Sequence, residues 1–151
     1  MNHSYLHTSK AQLLNQLVYF DEEKIYFIEH YFPHPSTERF DFEQLLTAYC
    51  KELERLVSNL DEELLHAQVL IGSQVKLRYL DDGFTESFSI VFPQQARPDA
   101  QIISFLSPIG KQLLLSRVGE IREIDVPSGT IQVSIEEIRF VNAGDFQSKI
   151  S

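Results

Sequence analysis

From Phe42 onward the apolar side chains Phe42, Leu46, Tyr49, Leu53, Leu56 and Leu60 advance by alternating steps of four and three residues, the a/d spacing of a coiled-coil seam. The spacing predicts a helix opened by Asp41 and Gln44 as a capping box and running to about Leu65, roughly 37 Å at 1.5 Å per residue. Upstream, Leu14, Val18, Ile25, Ile28 and Phe32 repeat the stepping with Asp21 inside it, and Leu13, Leu17, Phe20 and Phe27 add a second apolar flank. An aspartate in a seam costs stability unless a cation answers it, and Lys24 and Arg55 are the candidates. Between the two runs, Pro33-His34-Pro35-Ser36-Thr37 ends one helix and lets a Ser/Thr pair begin the next. The expectation is an antiparallel α-helical hairpin. Such a rod buries only its seam, which leaves Phe20, Phe27 and Tyr31 to ordinary hairpin packing or to another module, a second chain or a partner.

After Ala67 the period falls to two. Val75, Leu77 and Tyr79 alternate with Gln74, Lys76 and Arg78, and Asp81-Asp82-Gly83 turns the chain into Phe84 to Phe92. Ile102 to Leu106 reads as a third strand, and Pro108 to Leu115 as a short helix with proline in its first turn. Glu120 to Val126 and Thr130 to Phe140 form a second hairpin around Pro127-Ser128-Gly129. The fold class is therefore α+β: a helical hairpin over residues 1–66, a small antiparallel sheet crossed by one short helix over 67–141, and a flexible tail over 142–151.

Charge follows the same division. The 151-residue chain carries 13 basic and 22 acidic groups, a net of −9. Residues 1–66 hold 12 acidic and 5 basic side chains, so the acidity belongs to the hairpin. That balance argues against a phosphate-tracking groove, direct sequence-specific nucleic-acid binding or an anionic membrane surface. Cys50 is the sole cysteine, which excludes an intramolecular disulfide and a structural cysteine-based zinc site and suits a reducing cytoplasm. Met1 to Lys10 has no signal-type apolar run, and no stretch approaches the ~20 apolar residues of a membrane span.

The segment from Ser104 to Glu120, SFLSPIGKQLLLSRVGE, closely resembles the C-terminal signature of the bacterial transcript-cleavage factors GreA and GreB. In that signature a Ser-Pro-apolar-small run opens the short helix and a Gly-Asp/Glu pair follows it. Gln112 departs from the small residue usual there. Ile71-Gly72-Ser73-Gln74-Val75-Lys76-Leu77 resembles the family's opening strand and Val126-Pro127-Ser128-Gly129 its late proline turn, so the likeness extends over about 67 to 140, in register. Nucleoside diphosphate kinase regulators share the domain. The resemblance implies an FKBP-like fold for this half. It also implies docking on RNA polymerase, at the β′ coiled coil beside the secondary channel, through Ser107, Pro108, Ile109 and Lys111. In the family a coiled-coil tip carries Asp-x-x-Glu within a Gly-Asp-Leu-x-Glu-Asn run and helps bind the second active-site magnesium. That run is absent here, and the nearest tip acids are Glu38, Asp41 and Glu43.

Carboxylates three apart on a helical turn point one way and suit a hard cation such as Mg²⁺ that keeps several waters. Asp41 is equally explained as a helix cap and Glu38 as favourable charge at a helix start, with Arg39 partly neutralising both. Ser107 before Pro108 is likewise an ordinary N-cap and N1 pair. His30 and His34 have metal-ligand spacing, but Pro33 lies between them and a solvent-exposed role is expected. Cys50 reads as a small packing residue. No metal site of the chain's own, no cofactor beyond Mg²⁺ shared with the polymerase centre, and no enzymatic constellation of Ser/His/Asp type is expected. Three functions stay open: a polymerase-binding elongation regulator, read as non-cleaving rather than cleaving because the tip run is missing; an interaction module, including a homodimer through the aromatic-rich hairpin, that regulates another enzyme; and, by fold analogy alone, a peptidyl-prolyl isomerase, against which the absence of tryptophan counts.

Overall fold

In a computed structural model of the chain, which describes residues 3–141, the first apolar runs become two long helices, α1 (His3–Tyr31) and α2 (Thr37–Ser58). Residues 142–151, expected as a tail, lie outside the described residues. The chain divides into two compact units, one ending at Leu60 and one beginning at Asp61.

In the first unit α2 buries Phe42, Leu46, Tyr49, Leu53 and Leu56, as its heptad spacing predicts. Both ends of α2 differ from expectation. The cap is Ser36, whose hydroxyl accepts from the Arg39 backbone N–H at 3.0 Å, so Asp41 lies a full turn inside the helix. The helix stops at Ser58, where Asn59 leaves helical geometry and its N–H turns back to the Leu56 carbonyl. Asp61 then caps a separate turn, α3 (Glu62–Leu65), by accepting from Leu64 N–H at 2.8 Å.

Helix α1 uses the other of its two apolar faces. Leu13, Phe20 and Phe27 are buried, whereas Leu14, Val18 and Ile25 are 41%, 53% and 72% exposed and Asp21 stands in water. Of the stepped run that the sequence offers as the seam, Ile28 is buried and Phe32 half-buried. The buried face includes Gln16, which a hydrophobic count passes over; its Oε1 accepts from the Tyr49 hydroxyl at 2.6 Å inside the hairpin. Phe20 meets Tyr49 edge-on at 6.3 Å, and Phe42 stacks between Phe27 and Phe32 at 6.1 and 5.0 Å. Phe20 and Phe27 thus follow the ordinary hairpin-packing expectation, and Tyr31 lies half-buried against the ring of Phe27 at 4.8 Å. Asp21 finds neither suggested cation: Lys24 donates to Thr47 Oγ1 at 3.2 Å and Arg55 pairs with Glu52.

The second unit is a five-stranded sheet in the order β3-β2-β1-β5-β4, with β1 (Ser73–Tyr79), β2 (Thr85–Val91), β3 (Ile102–Ser104), β4 (Ile121–Val126) and β5 (Gly129–Phe140). Val75 and Leu77 point into the core while Gln74, Lys76 and Arg78 face out. Three pairings are antiparallel, but β3 runs parallel to β2, Ser89 to Val91 against Ile102 to Ser104, so the sheet is mixed rather than wholly antiparallel. Two 3₁₀ turns, Pro93–Gln95 and Pro98–Ala100, carry the chain across before β3. Helix α4 (Pro108–Leu113) follows and buries Leu113. No described helix is long and apolar enough to cross a membrane.

Replacing Tyr49 with Phe removes the donor to Gln16 without opening a cavity. Urea unfolding should show the hairpin losing about 1–2 kcal/mol with its helical circular dichroism intact, and an unchanged midpoint would refute the role given to this bond. His66 Nδ1 accepts the Phe140 N–H at 2.9 Å, and burial pushes its pKa below the ordinary 6.5. The unfolded chain therefore binds the proton first as pH falls through 6.5, so this contribution to stability is present above 6.5 and is lost down to the folded value. His66→Gln should flatten that part of the stability–pH curve relative to wild type.

Candidate functional site

The hairpin turn presents the acids. Glu38 lies in the first turn of α2 and Asp41 three residues on, both exposed, so the i, i+3 spacing sets them on one side of the helix. Glu43 is engaged otherwise: Arg39 Nε donates to its Oε2 at 3.3 Å, and Arg39 Nη1 donates to the Phe32 carbonyl at 3.0 Å. Arg39 therefore closes the end of α1 while holding Glu43, and Glu38 and Asp41 stand exposed. The arginine and glutamate four apart are visible in the sequence; the link to Phe32 is not. Among the described residues no group of three or more His, Cys, Asp or Glu could hold a metal ion. The donor set fits two hard oxygens offered to a cation held mainly by another molecule. His30 is on the last turn of α1 against the ring of Tyr31, and His34 is in the turn beyond, so the two histidines share no helix.

The second candidate surface is the start of α4. Ser107 caps it, accepting from Gly110 N–H at 3.0 Å and donating to the Ser104 carbonyl at 2.7 Å. Pro108 occupies the first helical turn and is exposed, with Ile109 and Lys111 half-buried beside it. Gly110 is obligatory, because a Cβ there would stand 2.1 Å from the Ser104 carbonyl oxygen and 2.9 Å from Ser107 Oγ. The far side is tied by Gln112, the residue that departs from the signature. Its Nε2 donates to the Asp125 carbonyl at 2.8 Å and its Oε1 accepts the Asp125 N–H at 2.9 Å, which gives the backbone of that one residue on the edge strand β4 its partners. Nothing in the spacing of Gln112 announces this, since its partner is 13 residues away. Leu115 ends the segment at a φ of 70°, held by its N–H to the Val69 carbonyl at 2.8 Å.

Other titratable groups lie outside both surfaces. Burial, followed by hydrogen bonding to Glu86, pushes Tyr79 up to about 12. Burial also raises the Cys50 thiol above its ordinary value, consistent with a packing residue rather than a nucleophile.

Residues 65–140 match the family model described as "Transcription elongation factor, GreA/GreB, C-term". Among curated proteins, the chain is 36% identical over 100 residues to transcription elongation factor GreA of Dehalococcoides mccartyi, covering 59% of this chain and 64% of that one. It is 39% identical over 98 residues to GreA of Flavobacterium johnsoniae, covering 62% of each. The chain thus spans about three-fifths of the length of these relatives. Among solved structures, the prokaryotic transcription elongation factor GreA/GreB from Nitrosomonas europaea aligns at 26% identity with a TM-score of 0.46, over 68% of this chain and 93% of that one. GreA factor homolog 1 of Thermus thermophilus aligns at 24% with a TM-score of 0.45, over 90% and 93%.

The matched segment contains Gly110, and the contact there yields a direct test. Gly110→Ala should cost about 3 kcal/mol or more, because the clashing partners are backbone and cap rather than a flexible side-chain end. A loss below 1 kcal/mol, read from denaturant unfolding on the order of two-state precision, would contradict the close approach.

Proposed function

By its residues 65–140 the chain belongs to the GreA/GreB family of transcription elongation factors, and from that premise we propose that it is an accessory regulator of RNA polymerase acting in the cytoplasm. The family match is the observation that carries this reading. Docking falls to the Ser107-Pro108-Ile109 turn with Lys111, at the β′ coiled coil, because the turn is rigidly held at both ends and leaves Pro108 outward. The acidic end of the hairpin, with Glu38 and Asp41, then enters the secondary channel. Magnesium of the polymerase centre, when shared, would supply Lewis-acid chemistry there. This chain's residues contribute the carboxylates of Glu38, in the first turn of α2 where a negative charge is favoured, and of Asp41 beyond it.

The tip lacks the glycine and asparagine that flank the family's acidic pair, and it carries Arg39 and two prolines instead. Those differences favour a regulator that occupies the channel over one that stimulates cleavage. Halted elongation complexes provide the test. The wild type should slow nucleotide addition without releasing short 3′ RNA fragments, and Glu38→Ala combined with Asp41→Ala should relieve the effect. Ile109→Glu should weaken retention on core polymerase about tenfold, roughly 1.4 kcal/mol. Release of 3′ fragments that depends on the two acids would make the chain a cleavage factor instead, and failure of the wild type to bind core polymerase would remove the polymerase role.

A further inference from the structure

Helix α1 carries two heptad seams, and only one of them is filled. The inner seam, with Leu13, Gln16, Phe20 and Phe27, packs on α2. The outer one keeps the stepping of four and three through Leu14, Val18, Asp21 and Ile25, and every one of these residues is exposed. A helix with two seams offset by one position is patterned for two helical neighbours, and the hairpin supplies one. Beside the outer seam runs a groove of about 610 Å³ with walls from both helices: Leu14, Leu17, Val18 and Phe20 from α1, and Cys50 from α2. Its rim carries Asp21, Glu22 and Glu54 against the single cation Lys24, whose ammonium is engaged by Thr47. Leu14 to Ile25 spans about 16 Å at 1.5 Å per residue, the length of three helical turns.

We propose that this groove is the seat for a third helix contributed by another protein. Its chemistry follows from the lining: an amphipathic segment of at least three turns with an apolar a/d stripe, flanked by lysine or arginine, and with one basic residue at the seam level of Asp21. Charge complementarity selects that occupant over a second copy of this chain. Two copies would bring Asp21, Glu22 and Glu54 against their own like charges, on hairpin units whose residues 1–60 hold 9 acidic and 5 basic side chains, a net of −4. The groove sets Leu14, Leu17, Val18 and Phe20 beside Asp21, Glu22 and Glu54, so an aliphatic stripe supplies contact area and the acids set partner and orientation. The inference stands apart from the polymerase reading, since it concerns the flank of the hairpin rather than its tip or the α4 turn.

The test uses the full chain and a labelled synthetic helix of three heptads with leucine at a and d, arginine at one central d position, and lysine at e and g. Fluorescence anisotropy should show saturable binding. A peptide of identical composition with scrambled spacing, and one with glutamate at e, g and the central d, should each bind at least tenfold more weakly. Val18→Glu should weaken the basic peptide tenfold or more, while Asp81→Lys, an equal or larger change of charge in the second unit, should leave its affinity within twofold. Asp21→Lys should lower affinity for the basic peptide and raise it for the acidic one. Val18 and Asp21 are exposed, so both variants should retain wild-type circular dichroism; a variant that unfolds is replaced by Ile25→Lys at the other end of the seam. Binding that ignores spacing, or that survives Val18→Glu and Ile25→Lys, overturns the proposal. So does a homodimer in sedimentation that Ile25→Lys dissociates, because the seat would then belong to a second copy.

Discussion

Room for a single atom governs the second unit. The end of β3, the Ser107 turn and the start of α4 converge so closely that a methyl group at Gly110 would collide with the Ser104 carbonyl. A six-residue helix has no stability of its own in water, so α4 is ordered by its surroundings. Those surroundings are the cap from Ser107, the Gln112 amide on the Asp125 backbone, and Leu113 buried in the core. Each anchor takes its place from the close approach at Gly110. A surface turn held from both sides loses little freedom when something binds it, which suits Ser107, Pro108 and Ile109 to the docking role that the family resemblance implies.

The hairpin depends on a directional contact of another kind. Stacked aromatic rings tolerate sliding, whereas the Tyr49 hydroxyl and Gln16 carbonyl meet in one register only. A slip by one turn would bury both without each other, at a cost of several times thermal energy. Register fixes which residues reach the bend. Asp41 stands eight residues from Tyr49, about 12 Å along the axis, so the position of the acids is set by a bond well below them.

Much of this was readable from residue order because period and turn chemistry agree. The β1–β2 and β4–β5 hairpins follow from alternation of two around Asp81-Asp82-Gly83 and Pro127-Ser128-Gly129, and α2 follows from its heptads. The direction of β3 was not, since three half-buried residues carry no mark of parallel or antiparallel pairing and the 3₁₀ turns before them decide it. Which face of α1 is buried is not legible in the residue order, for a specific reason. Apolarity ranks Leu14, Val18 and Ile25 above a stripe interrupted by Gln12 and Gln16, and only the three-dimensional partner of Gln16 reverses that order. At the tip, Ser36 and Asp41 are both good caps by type, and the backbone hydrogen bond from Arg39 is what chooses Ser36.

That choice bears on function. An acid in the first turn of a helix is stabilised by the unpaired N–H groups there, so Glu38 has a structural reason to be where it is. The same reason fades beyond the first turn, and aspartate is a poor helix former once it no longer caps. Asp41, exposed and five residues beyond the cap, is therefore held at a position that folding alone mildly disfavours. Glu43 is explained by Arg39 and Glu38 by the helix start, whereas neither the cap nor a side-chain pair gives Asp41 such a reason, which is why the proposed role at the tip weighs most on that residue.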